Sequence, residues 1–285
     1  MSAPARVRVY MSTPSSTSTR RGLLAQLIAR LRTALALLFF TFFILSYSLF
    51  TLLTFRLFAL SLSRPLLRFA SRCSLAIVGV RVRYQAPTPY QTPAPRLIIT
   101  NHLSTLDLFW FTVEVPPRLF ALGKKEIRWI PILNVAWWAF RLGYIDRGAR
   151  TRAIETLNDA GVATHRDARS LVLAPEGTRC RDGRLGPFKK GPFHLATEHQ
   201  LPIYPVVAAG AFELMPPGQS FSWSGEIWVT PLAPVETRSL SADGLPELME
   251  TLHERIDRAY HSLRAEMGLP ALEKGERTEE RGESR

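Results

Sequence analysis

Residues 97–107 of the chain read LIITNHLSTLD, a short apolar run that gives way at once to polar residues. A short, mainly apolar run bounded in this way is typical of a buried β-strand. Three similar runs follow along the chain: 171–174 (LVLA), 203–208 (IYPVVA) and 226–229 (EIWV). Three stretches have helical periodicity: roughly 150–164, 193–198 and 245–267. Strands separated by helices predict an α/β fold with a mostly parallel central sheet flanked by helices.

Polar residues directly follow two of these apolar runs. Asn101 and His102 come after the run at 97–100, and residues 176–179 (EGTR) come shortly after the run at 171–174. Ligands of parallel α/β sheets bind beyond the carboxyl ends of the strands, where the chain turns into the next helix. The sequence therefore predicts a functional site built from these two polar segments.

His102 and Asp107 are the first candidates for chemistry at this site. Five helical steps of about 100° would leave the two side chains about 140° apart, so they cannot share a face of one continuous helix. They can meet if His102 lies on the turn that leaves the strand and Asp107 lies in the first turn of the next helix.

Two interpretations of this pair are open. Ser104 and Asp107 have the spacing of a helix-capping pair, in which case His102 is an ordinary loop histidine. Alternatively, Asp107 orients the imidazole and stabilises its protonated form, and His102 acts as a general base. The chain contains no Gly-x-Ser-x-Gly motif. Under the second interpretation the nucleophile therefore belongs to the substrate, which indicates a transferase.

Basic residues near hydrophobic runs are candidates for binding an anionic substrate. Arg147 follows GYID, and Arg179 ends PEGTR. Two guanidinium groups that converge on one phosphate bind it through charge-assisted hydrogen bonds, whereas a single surface arginine usually forms an ion pair. Lys124, in the sequence GKK, belongs either to a solvated loop or to a patch that attracts anions.

Residues 33–55 form an uncharged apolar segment of twenty-three residues. A helix of this length spans about 35 Å, enough to cross a hydrocarbon core of about 30 Å. We therefore predict a membrane helix, which either crosses the bilayer or dips into one leaflet. Arginines flank the segment on both sides, so the positive-inside rule does not choose an orientation.

Residues 63–73 predict a short helix, with Ser63 as its N-cap and Pro65 in its first turn. Arg64, Arg68 and Arg72 recur every four residues and therefore form one stripe on this helix. The stripe predicts an interfacial amphipathic helix whose arginines lie among lipid phosphates. An ordinary solvated basic face is the alternative.

The distribution of charge supports a membrane partner. The chain has 285 residues and a net charge of +12, and its first 106 residues hold thirteen arginines, no lysine and no acidic residue. A nucleic-acid-binding protein would carry its basic patch on the folded domain, so we expect an anionic membrane surface and no nucleic acid. The two cysteines, Cys73 and Cys180, define neither a disulfide framework nor a metal site.

These observations divide the chain into four predicted segments. Residues 1–32 are basic and expected to be disordered, and residues 33–85 form a membrane anchor of two helices. Residues 86–270 form the α/β domain, whose first ten residues, 86–95, are a proline-rich link. Residues 271–285 lack an apolar pattern and form a charged, disordered tail.

Six short sequence motifs between residues 96 and 215 are typical of one protein family. In chain order they are NHLSTLD (101–107), GKKE (123–126), GYIDR (143–147), PEGTR (175–179), PFKKG (187–191) and LPIYPV (201–206). Each motif alone would be weak, but all six stand in order at sensible distances. Together they closely resemble the 1-acyl-sn-glycerol-3-phosphate acyltransferases of the glycerolipid acyltransferase family.

The resemblance implies a membrane-bound α/β acyltransferase. Such an enzyme moves an acyl chain from a thioester, acyl-CoA or acyl carrier protein, to the sn-2 hydroxyl of lysophosphatidic acid, giving phosphatidic acid. It implies no cofactor and no metal beyond these two substrates. Because the thioester donor is cytosolic, we expect the catalytic domain on the cytosolic side of the membrane, the inner membrane if the source is bacterial.

The resemblance also implies roles for individual residues. His102 would be the base and Asp107 its partner, and Arg147 would contact the phosphate. The motif that binds the glycerol phosphate would comprise four consecutive residues: Glu176, Gly177, Thr178 and Arg179. Two departures fall at packing positions: Tyr144 and Ala174 stand where close relatives often carry Phe. They bear on chain preference rather than on the chemistry.

Two alternatives are kept. The first is an acyltransferase of the same family that acts on another lysolipid, such as lysophosphatidylglycerol or lyso-ornithine lipid. The second is a non-catalytic, membrane-tethered protein that binds anionic lipid. Thioester cleavage that depends on lysophosphatidic acid separates these alternatives from the main prediction.

Overall fold

A computed structural model describes residues 22–272 of the chain, apart from residues 55–58, 115, 147, 239 and 241–243. Residues 1–21 of the predicted basic N-terminal segment and residues 273–285 of the charged tail therefore lie outside the described residues. Of these two segments the structure describes only residues 22–32 and residues 271–272.

The described residues hold one seven-stranded sheet in the order β1-β7-β6-β2-β5-β3-β4. Its strands are β1 (Val80–Tyr84), β2 (Arg96–Thr100), β3 (Leu119–Lys124), β4 (Gly143–Ile145), β5 (Ser170–Leu173), β6 (Ile203–Ala209) and β7 (Gly225–Pro231). The pair β6–β7 is antiparallel and the other neighbouring strands are parallel. The predicted α/β fold with a mostly parallel sheet is confirmed.

Helices cover both faces of the sheet. They are α1 (Leu23–Leu53), α2 (Ala59–Val78), α3 (Asp107–Val113), α4 (Pro131–Ala139), α5 (Arg150–Arg166), α6 (Gly191–Glu198), α7 (Ala211–Leu214) and α8 (Leu245–Glu266). A short 3-10 helix at Lys125–Trp129 precedes α4. In the central strand β2, Leu97 and Ile99 belong to one apolar core and Ile98 to the other. A strand buried on both faces is why this run is continuously apolar.

Three strands were not predicted from the sequence: β1, β3 and β4. β1 alternates valine and arginine at the edge of the sheet, and β4 has only three residues. β1 pairs with β7 along its whole length. The sheet thus begins at Val80, and the predicted start of the α/β domain at residue 86 is too late.

Helix α1 begins at Leu23, ahead of the predicted apolar segment, and is long and apolar enough to cross a membrane. One side of it packs against the rest of the protein. Thr33 Oγ1 accepts a hydrogen bond from the backbone N–H of Ser222 at 3.0 Å. Further along the helix, the ring of Tyr47 lies 4.7 Å from that of Phe140. Leucines such as Leu38 and Leu49 on α1 remain exposed.

Helix α2 corrects the prediction for residues 63–73. The helix runs from Ala59 to Val78, so Pro65 lies inside it rather than in its first turn, and Ser63 is not its N-cap. The sequence Ser-Arg-Pro has the signature of a helix start, but the residues before it are helical as well. Because α2 packs extensively against α1, tertiary contacts outweigh the loss of one backbone donor at Pro65.

The arginine stripe on α2 binds groups of the protein itself. Arg68 Nη2 lies 2.9 and 3.0 Å from the two carboxylate oxygens of Glu114, and Arg68 Nε donates to the carbonyl of Val113 at 3.1 Å. Arg72 also reaches Glu114, at 3.2 Å, and Arg64 donates to Gln91 at 2.7 Å. Glu114, at the end of α3, thus holds α2 through two arginines of the stripe. The contact of this stripe with lipid phosphates stays a prediction.

Candidate active site

His102 and Asp107 meet at the carboxyl end of β2. His102 lies in the loop that leaves this strand, and Asp107 is the first residue of α3. Nδ1 of the imidazole lies 2.8 Å from Oδ2 of the carboxylate. An ionised carboxylate only accepts hydrogen bonds, so Nδ1 carries the proton in this arrangement and Nε2 is left as the basic nitrogen. The His102 side chain is 37% exposed and that of Asp107 is 9% exposed, so the imidazole faces out from a buried partner.

Three further donors fix the carboxylate of Asp107. Oδ2 accepts the backbone N–H groups of Leu103 at 2.8 Å and Ser104 at 2.9 Å. Oδ1 accepts the indole N–H of Trp110 at 2.8 Å. Both oxygens are therefore occupied before any substrate arrives, and the carboxylate cannot rotate away from His102 without breaking several hydrogen bonds.

The structure contains elements of both interpretations of the Ser104–Asp107 spacing, the capping pair and the dyad. The carboxylate of Asp107 reaches back to the N–H of Ser104, as in a capping pair. The hydroxyl of Ser104 instead donates to the carbonyl of Met215 at 2.7 Å and accepts from the N–H of Leu106. Helix α3 has Leu106 at its N-cap position and no side-chain cap. Asp107 thus shapes the loop and binds His102 at the same time.

Asn101 is a structural residue that the sequence interpretation missed. Its side-chain amide donates to the carbonyl of Ala208 at 2.8 Å and accepts from the N–H of the same residue at 2.9 Å. These two bonds tie the start of the His102 loop to β6. Trp110 was missed as well. The partners of both residues became visible only in the folded structure.

Glu176 is buried at 4% exposure and holds the backbone around His102. Its Oε1 accepts the N–H of His102 at 2.9 Å, and its Oε2 accepts the N–H of Gly186 at 3.0 Å and the thiol of Cys180. Burial raises the pKa of the Glu176 carboxyl above its ordinary value. The prediction of a substrate contact at Glu176 is corrected, since its oxygens face the protein.

The rest of the segment 177–179 turns outward. Gly177 has a φ of +74°, and a Cβ there would lie 2.9 Å from the Lys189 side chain, so the turn requires glycine. Thr178 and Arg179 are exposed. Nη1 of Arg179 donates to the hydroxyl of Thr105 at 2.5 Å. Because Thr105 lies in the loop between His102 and Asp107, this guanidinium stands beside the dyad.

Of the two remaining predicted residues, the structure places Lys124 away from this point and does not describe Arg147. Lys124 is exposed at the end of β3, which β5 separates from β2 in the sheet. Arg147 lies outside the described residues, so its convergence with Arg179 stays a prediction. Its neighbour Asp146 is held by Lys125 Nζ at 3.0 Å, and this lysine is the main cause of the lowered pKa of Asp146.

The described residues also enclose a cavity of about 720 Å³. It lies at the carboxyl ends of β3, β4 and β5, between α5 and α6, and its lining is mainly apolar, with Leu122, Ile145 and Leu173 among its walls. Pro175 and Gly177 also line it. These two residues flank Glu176, which holds the backbone of His102 on the other side of the same turn.

Metal ligands do not cluster in the described part of the chain. No group of three or more His, Cys, Asp or Glu side chains there has the geometry to hold a metal ion. Burial and the neighbouring Glu176 raise the pKa of the Cys180 thiol to about 12, so this cysteine is no ready nucleophile.

The chain is similar to several known acyltransferases. Residues 81–209 match the sequence model of the acyltransferase family. The human 1-acyl-sn-glycerol-3-phosphate acyltransferase alpha is 32% identical over 188 residues, which are 66% of this chain and 64% of that protein. The Saccharomyces cerevisiae 1-acyl-sn-glycerol-3-phosphate acyltransferase is 35% identical over 166 residues, 57% of this chain and 54% of that protein. The chain thus spans between about half and two thirds of the length of these relatives.

A bacterial relative and a solved structure extend the comparison. The Haemophilus influenzae 1-acyl-sn-glycerol-3-phosphate acyltransferase is 27% identical over 192 residues, 67% of this chain and 79% of that protein. The crystal structure of the 1-acyl-sn-glycerophosphate acyltransferase PlsC from Thermotoga maritima matches with a TM-score of 0.66 and 23% identity. The match covers 83% of this chain and 98% of that one, and at this identity it establishes a shared fold.

Proposed function

We propose that the chain, whose residues 81–209 match the sequence model of the acyltransferase family, is an O-acyltransferase of phospholipid synthesis. It transfers an acyl group from a thioester to the sn-2 hydroxyl of lysophosphatidic acid and so makes phosphatidic acid. The observation that carries the proposal is the imidazole of His102, fixed through Nδ1 by Asp107 and flanked by the guanidinium of Arg179.

His102 is the general base in this reaction. Its Nε2 takes the proton from the acceptor hydroxyl as that oxygen attacks the thioester carbonyl. The carboxylate of Asp107 stabilises the imidazolium that forms, since it already accepts the proton on Nδ1. The tetrahedral intermediate then expels the thiolate, which receives the proton from Nε2. One ester bond forms, one thioester bond breaks, and the histidine returns to its neutral form.

The phosphate of the acceptor binds on the side of Arg179. Its guanidinium is exposed and touches Thr105 on the loop of the dyad, so a phosphate held there places the glycerol beside His102. Thr178 is exposed in the same turn, and Gly177 gives the turn its shape. Arg147 serves as a second phosphate contact, and Lys124 attracts the anionic substrate at longer range. Glu176 supports this site from beneath rather than contacting the lipid.

The acyl chain of the donor occupies the apolar cavity between α5 and α6. Its walls are mainly aliphatic, and they include Pro175 and Gly177, the two neighbours of Glu176, whose side chain holds the backbone N–H of His102. Lys189 and Lys190 also line the cavity and give it a positive rim. This charge suits the phosphates of acyl-CoA or the acidic surface of an acyl carrier protein. The reaction draws on these two substrates and on no cofactor or metal.

Helix α1 anchors the enzyme to the membrane that supplies its acceptor. The helix packs along one side against the catalytic domain, from Thr33 to Tyr47, and exposes leucines elsewhere. This packing favours burial of α1 in one leaflet, with the domain on the cytosolic surface where thioester donors are found. In a bacterial cell the membrane is the inner one.

Thiol release from the donor tests the proposal. Detergent-solubilised full-length protein is incubated with acyl-CoA or an acyl carrier protein thioester and one of several lysolipids. We expect free thiol and a diacyl product with lysophosphatidic acid, and neither without an acceptor. Faster turnover of lysophosphatidylglycerol or lyso-ornithine lipid would assign a different acceptor. A wild-type rate no higher than that of His102→Ala for every acceptor would leave only a lipid-binding role.

A further inference from the structure

Among the residues that the structure describes, the second carboxylate oxygen of Asp107 has a single hydrogen-bond partner, and that partner is entirely buried. Oδ1 accepts the indole N–H of Trp110 at 2.8 Å, while Oδ2 carries His102 and two backbone N–H groups. Trp110 has 0% exposure. A buried carboxylate oxygen without a donor is costly, and a charge-assisted hydrogen bond is stronger than a neutral one. The hydrogen bond from the indole therefore fixes the orientation of the carboxylate plane of Asp107.

Trp110 is itself held in place from a strand and a helix outside α3. Its backbone carbonyl accepts the hydroxyl of Tyr84, on β1, at 3.0 Å. Two residues later, Thr112 Oγ1 lies 2.5 Å from the hydroxyl of Ser71 on α2. The indole of Trp110 also packs against the ring of Phe111 in an edge arrangement. The donor to Asp107 thus belongs to the packed core rather than to the exposed surface of the site.

We propose that Trp110 is a positioning residue for the acyl transfer, which acts by holding the carboxylate of Asp107 in the orientation that binds Nδ1 of His102. The inference rests on the proposed acyltransferase function. Trp110 touches neither substrate: its indole N–H is used by Asp107, and the ring is enclosed by the core. It therefore affects turnover through the dyad, and it leaves the binding of donor and acceptor unchanged.

The test is a double-mutant cycle of Trp110→Phe with Asp107→Asn, with kcat and both KM values measured in detergent micelles. In the wild-type background we expect Trp110→Phe to lower kcat by between about tenfold and 100-fold, the range of a charge-assisted hydrogen bond, with both KM values within about twofold. In the Asp107→Asn background the same change should cost less than about threefold, because the carboxylate that it positions is gone.

Trp228→Phe is the matched control. The indole N–H of Trp228 also donates to a carboxylate, Oε2 of Glu226 at 3.0 Å, in a half-buried position on β7. The substitution removes the same chemical contact away from the dyad and should leave kcat unchanged. An equal loss of kcat for Trp110→Phe in both backgrounds, or an equal loss for Trp228→Phe, would overturn the proposal in favour of a general packing effect.

A second substitution covers the case in which Trp110→Phe does not fold. Trp110→His keeps a ring N–H, and we expect the folded variant to retain kcat within about tenfold of wild type. A folded Trp110→His variant that loses more than about 100-fold overturns the proposal. The function proposed above fails separately: in that case His102→Ala and wild type have equal rates, whatever the result at Trp110.

Discussion

The backbone N–H of His102 donates to Oε1 of Glu176 at 2.9 Å, a contact between residues 74 positions apart in the chain. A second hydrogen bond holds the backbone of His102: its carbonyl accepts the N–H of Cys180 at 3.2 Å. The two polar segments that follow β2 and β5 are therefore one unit, in which the second holds the main chain of the first. A buried carboxylate in this position organises the site before a substrate enters, so the loss of the carboxylate should disturb catalysis without removing a substrate contact.

Glu176→Gln should lower both stability and turnover. A glutamine offers one acceptor oxygen and one NH₂ group, so at least one of the N–H groups of His102 and Gly186 would face another donor. An unsatisfied buried donor costs about 1–3 kcal/mol. Denaturant unfolding should report a loss of that size, and kcat should fall. Glu250→Gln, at an exposed position on α8, should change neither.

The destabilisation by Glu176→Gln should also depend on pH. Burial raises the pKa of Glu176 above 4.5, so the folded chain binds this proton more tightly than the unfolded chain. The contribution of this group to the free energy of unfolding is therefore full below pH 4.5 and is lost as pH rises through the folded pKa. Since the glutamine cannot titrate, the stability difference between wild type and variant should be larger at acidic than at neutral pH. A difference that shrinks on acidification would contradict the raised pKa.

His102→Ala should remove most of the activity and leave the fold intact. A positioned general base contributes about 10²–10⁴-fold to turnover, and the side chain is partly exposed and contributes little to the core. The measurement is kcat with saturating donor and acceptor, beside a thermal melt. His261→Ala serves as the control, because His261 is half exposed on α8. Activity of His102→Ala within tenfold of wild type would exclude the dyad mechanism.

Asp107→Asn distinguishes the capping role of this residue from its role in the dyad. The amide cannot accept from the indole of Trp110, the backbone N–H groups and Nδ1 of His102 all at once. We expect a loss of about 1–3 kcal/mol in stability together with a fall in kcat of about 10²-fold or more. A variant that loses stability but keeps kcat when folded would show that Asp107 only shapes the loop.

Local patterns in the sequence predicted the central strands and the meeting of His102 with Asp107. The strand β2 is a continuous apolar run because it is buried on both faces, and a five-residue spacing suffices to bring the dyad together across a turn. The edge strand β1 escaped prediction because alternating arginines keep one of its faces in solvent. The inward role of Glu176 and the pairing of Arg68 with Glu114 depend on partners far away in the chain, which no local pattern encodes.

Arg68→Gln should weaken the fold more than it weakens membrane binding. The substitution breaks the bonds of Arg68 to Glu114 and to the carbonyl of Val113, which together hold α2 against the end of α3. We expect a loss of about 1–2 kcal/mol in stability, since both side chains are less than one third exposed. Binding to anionic vesicles should match that of Arg81→Gln, a control at an exposed arginine on β1. Unchanged stability with weaker vesicle binding would favour the lipid-phosphate interpretation of the stripe.

Arg179→Ala should raise the KM for lysophosphatidic acid far more than the KM for the acyl donor. The guanidinium is exposed beside Thr105, on the loop between His102 and Asp107, where the phosphate of the acceptor has to lie if its hydroxyl is to reach Nε2. A hydrogen bond to a charged group is worth about 1.5–3 kcal/mol, so kcat/KM for the acceptor should fall by about 10- to 150-fold. Arg179→Lys should recover only part of this loss, because an ammonium group keeps the charge but not the planar fork. Arg181→Ala is the control, two residues away and also exposed.

The measurement is steady-state kinetics with each substrate varied in turn. A rise in the donor KM instead of the acceptor KM would place the phosphates of the coenzyme, rather than that of the lysolipid, at Arg179.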